Sequence, residues 1–153
     1  MENSKKFLGH VKMKISRQHL SIPLVYANLV RELADKRLFI TLGDRRLLVF
    51  PIDSWFAYEN RLNDYQNKQY RKQLHRQSLF GTTPSELDSS GRIKLSANLF
   101  SFMGEPAEVM VVGKGDHLQV YTLSEYKRHE DEMNDDPVGI VAEEDMDYVK
   151  EIS

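Results

Sequence analysis

The sequence predicts a mixed α+β protein built as a tandem duplication, in which two half-units share one core. Alternating apolar and charged residues predict strands, and apolar residues at helical spacing predict the helices between them. The same order of elements recurs after an offset of 73 positions at His19/Arg92 and 71 at Trp55/Tyr126. Because each half-unit is too small to bury its own sheet well, we expect the two to form a single hydrophobic core.

The first predicted strand covers residues 11–16, where apolar and polar side chains alternate as in a half-buried strand. The apolar set is Val11, Met13 and Ile15, and the polar set is Lys12, Lys14 and Ser16. A turn at Arg17 and Gln18 leads to the apolar positions Leu20 and Ile22, and Pro23 ends the strand pairing.

A helix and two strands follow in the first half. The helix is predicted over residues 25–33 from the spacing of its apolar positions Val25, Leu29, Val30 and Leu33. Residues 38–42 and 47–50 are predicted as two strands about the turn at residues 43–46.

Two helices are predicted next. Asp53 or Ser54 is expected to cap the first, which carries Trp55, Tyr58 and Leu62. The second runs from about residue 64 to residue 80, ahead of Gly81. Its five basic residues suit either a phosphate-contacting surface or, more simply, a solvated helix face: Lys68, Arg71, Lys72, His75 and Arg76.

The second half repeats this order. Residues 92–95 (RIKL) correspond to 19–22 (HLSI), residues 109–112 to 39–42, and residues 115–121 (GDHLQVY) to 43–50 (GDRRLLVF). Ser124 is expected to cap a helix that carries Tyr126 and Met133. The predicted organisation is therefore one repeat over 1–83, a second over 84–134, and an acidic tail over 135–153 that is either mobile or a short peripheral helix.

Composition narrows the class of protein. The 153 residues are 41% hydrophobic, and they include no cysteine for disulfides or a thiolate zinc site. No apolar run approaches the roughly 18 residues of a membrane span, and the start MENSKKFLGH lacks the apolar core of a signal peptide. A reducing, cytoplasmic location without a membrane partner is therefore expected.

Charge is distributed unevenly behind the net value of −2. Residues 1–83 hold 15 Lys+Arg against 7 Asp+Glu, a net charge of +8, whereas residues 84–153 hold 6 against 16, a net charge of −10. The asymmetry fits a polyanionic partner for the basic half and association between unlike faces. Solvated helix faces combined with an acidic tail are the plainer explanation.

The strongest candidate site lies within residues 87–95 (LDSSGRIKL). Asp88 and Gly91 take the first and fourth positions of a type I turn around Ser89 and Ser90. Asp88 is also close enough in sequence to orient the guanidinium of Arg92, and an oriented arginine suits bidentate contact with guanine O6 and N7. The alternative is a surface hairpin whose acid and base are four positions apart by chance.

Strand alternation gives this site a second cation. Arg92 and Lys94 share one face, while Ile93 and Leu95 enter the core. The corresponding stretch of the first half, residues 15–19, has neither acid nor glycine and has His19 at the arginine position. Lys12, Lys14 and Arg17 remain candidate phosphate contacts, and His19 is a weaker anion ligand, so this copy is either a degraded site or a structural element.

Signatures of enzymes are weak. Residues 113–116 lack the length and ending of a phosphate loop and are predicted as a hairpin turn. The five histidines have no metal spacing, and residues 129–132 are predicted as an exposed helix face. We therefore predict no catalytic residue, metal, cofactor or small-molecule substrate. Core or subunit-contact roles are expected for four aromatic residues: Trp55, Tyr58, Tyr121 and Tyr126.

With its two half-units and the segment LDSSGRIKL in the second, the chain resembles the MraZ family. This family is related to the AbrB-type transition-state regulators. The similarity is best over residues 71–130, and it extends more weakly over residues 7–65. The motifs that carry it are LFG at 79–81, Asp88-x-x-Gly91-Arg92, EVMVVG at 108–113, DHLQVY at 116–121, LSIP at 20–23 and LLVFP at 47–51.

The resemblance implies a swapped-hairpin, double-split β-α-β barrel of the AbrB type with peripheral helices, assembled into a ring-shaped homo-oligomer such as an octamer or dodecamer. It also implies binding to double-stranded DNA on the nucleoid, at direct repeats in the promoter of the division and cell-wall gene cluster, and regulation of transcription there. The family's Asp-x-x-x-Arg motif, which carries DNA recognition in both halves, matches at Asp88 and Arg92, whereas the first copy departs at Ile15, Gln18 and His19. The alternative is a divergent paralogue that acts as a ring-forming protein-interaction scaffold with weak or no specific DNA binding.

Overall fold

The computed structural model describes residues 6–64, 72 and 82–135. In these residues eight strands and four helices alternate along the chain. The first six elements are β1 (His10–Ser16), β2 (His19–Ser21), α1 (Leu24–Ala34), β3 (Arg37–Leu42), β4 (Leu47–Pro51) and α2 (Ile52–Asp64). The last six are β5 (Thr83–Glu86), β6 (Arg92–Lys94), α3 (Ala97–Phe102), β7 (Glu108–Gly113), β8 (Leu118–Thr122) and α4 (Leu123–Asp135).

The strands form one antiparallel sheet in the order β5-β3-β4-β8-β7-β1-β2-β6. Its two end strands, β5 and β6, are consecutive in the chain and are joined by a turn in which the backbone N–H of Asp88 donates to the carbonyl oxygen of Arg92 at 2.9 Å. The sheet therefore curls into a nearly closed barrel. The predicted α+β class and the swapped-hairpin barrel are confirmed.

Corresponding strands of the two copies pair with each other. In β2 and β6, Leu20 lies opposite Ile93, and in β4 and β8, Leu48 lies opposite Gln119. The first strand of each copy also pairs with the third strand of the other copy, since β1 pairs with β7 and β5 pairs with β3. The hairpins of the two copies are therefore exchanged. A pseudo-two-fold axis consequently relates the copies. Each copy depends on strands of the other copy to complete its own strand pairing.

The barrel interior is filled by the inward-facing side chains of both copies, and Phe7 belongs to this core. Phe7 is fully buried, and its backbone exchanges two hydrogen bonds with Gly115 at 2.7 and 2.8 Å. Gly113 has no room for a side chain, because a Cβ there would lie 2.6 Å from the carbonyl oxygen of Phe7. The sequence patterns predict no role for Phe7, since it precedes the first alternating segment.

A smaller core lies on the outer face of β4, beneath α2. It consists of Leu48, Phe50, Trp55 and Tyr58, with Phe39 packed against it. The rings of Phe50 and Tyr58 stack with centroids 4.7 Å apart. The predicted core role of Trp55 and Tyr58 is confirmed, as it is for the buried Tyr121.

The buried face of α1 is displaced from the predicted one. Val25 is 73% exposed, whereas the buried positions are Tyr26, Ala27, Val30 and Ala34. The small alanines allow this face to approach the sheet closely, and the bulkier Val25 in the first turn points outward. The predicted helix is therefore present, but Val25, one of the four apolar positions that predicted it, does not lie on its buried face.

Two predicted helix caps are also wrong. The side-chain oxygen of Thr122 accepts a hydrogen bond from the backbone N–H of Glu125 at 3.2 Å, so Thr122 caps α4 in place of Ser124. Helix α2 begins at Ile52, directly after β4, which puts Asp53 and Ser54 inside its first turn. The short strand β5 and the helix α3 had no predicted bounds; Ser96 caps α3 by accepting from Leu99 N–H at 3.2 Å.

Two further predictions lie outside the described residues: the helix over 64–80 beyond residue 64, apart from the exposed Lys72, and the acidic tail beyond residue 135. Across the part of the chain that is described, no helix combines the length and apolar character needed to span a bilayer.

Candidate nucleic-acid interface

The turn that joins β5 to β6 is organised by Asp88. The N–H of Gly91 donates to the carbonyl oxygen of Asp88 at 3.0 Å, which closes the predicted four-residue turn. Gly91 has a φ of +79°, a conformation that favours glycine. The carboxylate oxygen Oδ1 of Asp88 accepts from the N–H groups of Ser90 at 2.9 Å and Arg92 at 2.8 Å.

The other carboxylate oxygen orients Arg92. Arg92 Nε donates to Asp88 Oδ2 at 3.2 Å. The side chains of Arg92 and Asp88 are 45% and 36% exposed, so this ion pair lies at the protein surface. Because the contact uses Nε, it restrains the guanidinium while the terminal nitrogens Nη1 and Nη2 take no part in this ion pair.

The surroundings of Asp88 keep it ionised. The N–H of Arg92 is the largest cause that holds the pKa of Asp88 below its usual value, and the N–H of Ser90 and the charge of Arg92 act in the same direction. Asp88 is therefore a negatively charged partner for Arg92 at neutral pH.

Strands β2 and β6 present one polar face outward. In their register His19 lies opposite Lys94 and Ser21 lies opposite Arg92. Leu20 and Ile93 are fully buried between these pairs. The predicted alternation along β6 is confirmed, with Arg92 and Lys94 exposed and Ile93 and Leu95 in the core.

The first-copy turn is shorter. Ser16 pairs with His19, so that only Arg17 and Gln18 lie between the strands, with φ values of 53° and 64°. Two left-handed residues in a two-residue loop are typical of a type I′ hairpin turn. The ring of His19 contacts the carbonyl oxygen of Arg17 through Nδ1 at 2.9 Å, where Arg92 in the second copy contacts a carboxylate.

The remaining predicted cations extend the same outer face. Ser16 lies opposite His19, and residues two apart on a strand share a face, so Lys12 and Lys14 of β1 lie on that side of the sheet. Both lysines and the turn residue Arg17 are exposed. The basic residues predicted from separate stretches of sequence therefore share one outer face, on which Glu108 of β7 lies opposite Lys14. We refer to this surface as the basic ribbon, and its basic residues are Lys12, Lys14, Arg17, His19, Arg92 and Lys94.

Comparison with known proteins bears on this surface. A family model described as "MraZ protein, putative antitoxin-like" matches residues 78–148. The chain is 28% identical over 123 residues to the protein named transcriptional regulator MraZ of Nitrosomonas europaea, covering 78% of this chain and 83% of the relative. It is 30% identical over 132 residues to the protein of that name from Alkaliphilus metalliredigens, covering 84% of this chain and 89% of the relative.

The chain belongs to the MraZ family. The segment that matches the MraZ family model contains the Asp88–Arg92 turn, α3, β7, β8 and α4. A MraZ relative from Histophilus somni is 29% identical over 115 residues, covering 73% of this chain and 76% of the relative. All three relatives carry the name of a transcriptional regulator and none the name of an enzyme.

Arg31 lies near the Asp88 turn, although no pattern in the sequence predicts this. Arg31 of α1 donates through Nη2 to the carbonyl oxygen of Asp88 at 3.3 Å and through Nη1 to Asn28 Oδ1 at 3.2 Å. Arg31 also lines an open groove of about 560 Å³ between α1 and the Asp88 turn. The helix of the first copy thus supports the turn of the second.

A polar cluster lies under α4 on the far side of the barrel. Arg46 donates through Nη1 to Gln119 Oε1 at 2.8 Å, and Gln119 Nε2 lies 3.1 Å from Nε2 of His117. His117 is fully buried and stacks on Phe50 with centroids 4.5 Å apart. Burial lowers the pKa of His117, against a smaller raising effect of Asp116, so its contact with Asp116 is a hydrogen bond to a neutral ring.

Arg46, Gln119 and His117 are thus linked by side-chain hydrogen bonds. Within the described residues, no group of three or more His, Cys, Asp or Glu side chains is arranged to hold a metal ion. The predicted hairpin turn near residues 113–116 is confirmed, since Lys114 N–H donates to the carbonyl oxygen of His117 at 2.9 Å. Glu130, Asp131 and Glu132 are exposed on α4, as predicted, but the prediction is wrong for His129, which is half-buried because its ring stacks on Tyr121.

Proposed function

We propose that this chain is a transcriptional regulator that binds double-stranded DNA through the basic ribbon and reads guanine with Arg92. The observation that carries the proposal is the ion pair between Arg92 Nε and Asp88 Oδ2, at 3.2 Å, on a side chain that is 45% exposed. A guanidinium that is held by one edge and open to solvent is ready for bidentate contact with guanine O6 and N7.

Orientation of Arg92 before binding reduces the cost of recognition. A long side chain loses about 0.5 to 1.5 kcal/mol of freedom when it is immobilised at an interface. In the free protein Asp88 already restrains the guanidinium of Arg92, so less side-chain freedom is lost when DNA binds. The lysines of the ribbon and Arg17 suit phosphate contacts, which position the protein on the duplex without reading sequence.

A single arginine gives weak specificity, so we further propose that many copies act together. In this proposal the chain forms a ring-shaped homo-oligomer, an octamer or dodecamer, whose two-repeat protomers bind direct repeats in the promoter of the division and cell-wall gene cluster. Simultaneous contacts then raise the overall affinity by avidity. Such a regulator acts in the cytoplasm, on the nucleoid. The names of the relatives support a role in transcription, and the exposed apolar side chains of Leu24 and Val25 on α1 support self-association.

The test is a gel-shift titration of DNA from upstream of the protein's own gene, with the parent chain, Arg92→Ala and the matched control Arg128→Ala. Arg128 is an arginine of α4 that is paired with Glu125 and Glu132, away from the ribbon. We expect Arg92→Ala to lose about tenfold or more in affinity for guanine-containing repeats. Arg128→Ala should bind like the parent, and binding by all should weaken steeply with salt.

Equal affinity of Arg92→Ala and the parent chain would refute the assignment of Arg92. A protein that shows no retention on DNA at low salt would instead support the scaffold alternative.

A further inference from the structure

We propose that His19 is a second base-reading residue, which accepts a hydrogen bond from an exocyclic amino group of adenine or cytosine while Arg92 binds guanine. This inference rests on the proposed DNA-binding function and specifies what the same surface recognises. Two observations carry it: the place of His19 in the sheet and the hydrogen bond that holds its ring.

His19 and Arg92 occupy corresponding places in the two copies. The strands that carry them pair antiparallel, with His19 opposite Lys94 and Ser21 opposite Arg92. His19 and Arg92 are therefore diagonal neighbours on one face of the ribbon. Diagonal neighbours in such a pair lie about 7 to 8 Å apart, which corresponds to about two steps along a DNA strand. Both side chains can consequently reach the same groove.

The ring of His19 has a defined donor and acceptor. Its Nδ1 lies 2.9 Å from the carbonyl oxygen of Arg17, and a carbonyl oxygen can only accept. Nδ1 therefore carries the hydrogen, and in the neutral ring Nε2 is an acceptor. Nε2 lies at the end of the imidazole that is remote from its own backbone, so it is the atom that a ligand meets.

The turn that supplies the Arg17 carbonyl is fixed in place. Arg17 and Gln18 form the two-residue loop, with φ values of 53° and 64°. The carbonyl oxygen of Gln18 accepts from the N–H of Leu95 at 2.8 Å, which ties the loop to the end of β6. The ring of His19 is thus oriented by the fold before any ligand binds.

An outward acceptor and an outward guanidinium select different bases. In the major groove guanine presents the acceptors N7 and O6, and thymine presents the acceptor O4, whereas adenine N6 and cytosine N4 are donors. Nε2 of His19 therefore matches an amino group and is repelled by the edges that Arg92 prefers. Each protomer recognises an asymmetric pair of bases rather than the same base twice.

The experiment selects binding sites for the full-length protein from duplexes with randomised positions, at about pH 8, where imidazole side chains are neutral. The parent, His19→Ala, His19→Arg and Lys94→Ala are compared. For the parent we expect guanine at one position and an amino-bearing base about two positions away. His19→Arg should replace that preference with guanine, and Lys94→Ala should weaken binding to all sequences alike.

Amine-deleted duplexes then distinguish the two bases. One arm replaces the selected adenine by purine without its 6-amino group, and the other replaces the selected cytosine by pyrimidin-2-one, which lacks the 4-amino group. In the arm that matches the true ligand, the parent should lose about three- to tenfold in affinity, while His19→Ala should be insensitive. This arm remains valid if His19→Arg does not fold, because it uses the parent protein.

A parent that responds to amine deletion no more than His19→Ala does would overturn the role of His19 while leaving guanine recognition by Arg92 intact. A parent that enriches no sequence at all would overturn the proposed DNA-binding function, and the role of His19 with it.

Discussion

Arg31 of α1 donates a hydrogen bond to the backbone carbonyl oxygen of Asp88, at 3.3 Å, across 57 positions of sequence. The helix of one copy is thereby joined to the Asp88 turn of the other. The counterpart α3 has only six residues, from Ala97 to Phe102, and carries no arginine. A helix arginine therefore supports the turn between Asp88 and Arg92, which has the Asp-x-x-x-Arg motif.

Arg31→Ala should loosen the Asp88 turn and lower DNA affinity by about three- to tenfold, because the carbonyl oxygen of Asp88 loses a charged donor. Amide hydrogen exchange should quicken at Ser90 and Arg92, and the base preference should stay the same. Binding titrations and exchange measured by NMR test this. Unchanged exchange at both amides would show that Arg31 does not position the turn.

Asp88→Asn should retain the turn but weaken recognition. The amide oxygen can still accept from the N–H groups of Ser90 and Arg92, whereas the charged partner of the guanidinium is lost. We expect the unfolding free energy to change little, because the ion pair is exposed, and DNA affinity to fall by about two- to tenfold. Chemical denaturation and fluorescence anisotropy measure the two quantities. Loss of both stability and binding in equal measure would contradict the division of roles.

The pH response of Asp88 has a defined sign. Its pKa in the folded protein lies below the ordinary value, so the stabilising effect of its charge is complete above about pH 4 and is lost as the pH falls through the folded pKa. A carboxyl-carbon NMR titration should show Asp88 still ionised at about pH 4. A midpoint at or above that of an unstructured aspartate would contradict the geometry of the turn.

His117 should make the fold sensitive to mild acid. Its pKa is lowered by burial, so the unfolded chain binds a proton more readily than the native protein does. The resulting stability is complete above the unfolded value of about 6.5 and declines as the pH falls below it. The same direction applies to His129, which is partly buried against Tyr121. Melting temperatures should drop between about pH 7 and pH 5.

His117→Gln should reduce that slope, whereas the control substitution His10→Gln should preserve it, because His10 is exposed. Thermal melts of the three proteins at several pH values give the comparison. An identical slope for His117→Gln and the parent would place the sensitivity elsewhere.

Gly113→Ala should displace the segment that carries Phe7 from its place against Gly113. The added methyl group meets rigid backbone, with the carbonyl oxygen of Phe7 only 2.6 Å away. We expect a loss of about 2 kcal/mol or more in unfolding free energy. Gly43→Ala is the matched control, since a Cβ there would meet side chains, of Leu48 at 3.1 Å and Arg46 at 3.2 Å, rather than backbone. Similar losses for the two variants would argue against a fixed position for Phe7.

The parts of this fold that the sequence predicts are those determined locally or by the repeat. Asp88 and Arg92 are four positions apart, so their contact is local. The alternation through Ile93 and Leu95 predicts which side chains of the strand point into the core. The repeat also makes β2 equivalent to β6 and β4 equivalent to β8, and these equivalent strands pair with each other in the sheet. Arg31 and Phe7 act through partners that are distant in sequence, and no local pattern signals such contacts. The cap of α4 was mispredicted because Thr122 and Ser124 both offer a hydroxyl group, and the end of β8 decides between them.

The two loops carried by the exchanged hairpins belong to one chain, so their sequences can diverge. A barrel assembled from two separate, identical chains would carry two identical loops, so that any substitution in one would appear in the other. Covalent linkage of the copies removes that constraint. One loop here retains a carboxylate and an arginine while the other is a tight turn with a histidine, and each can be altered by mutation without altering its twin.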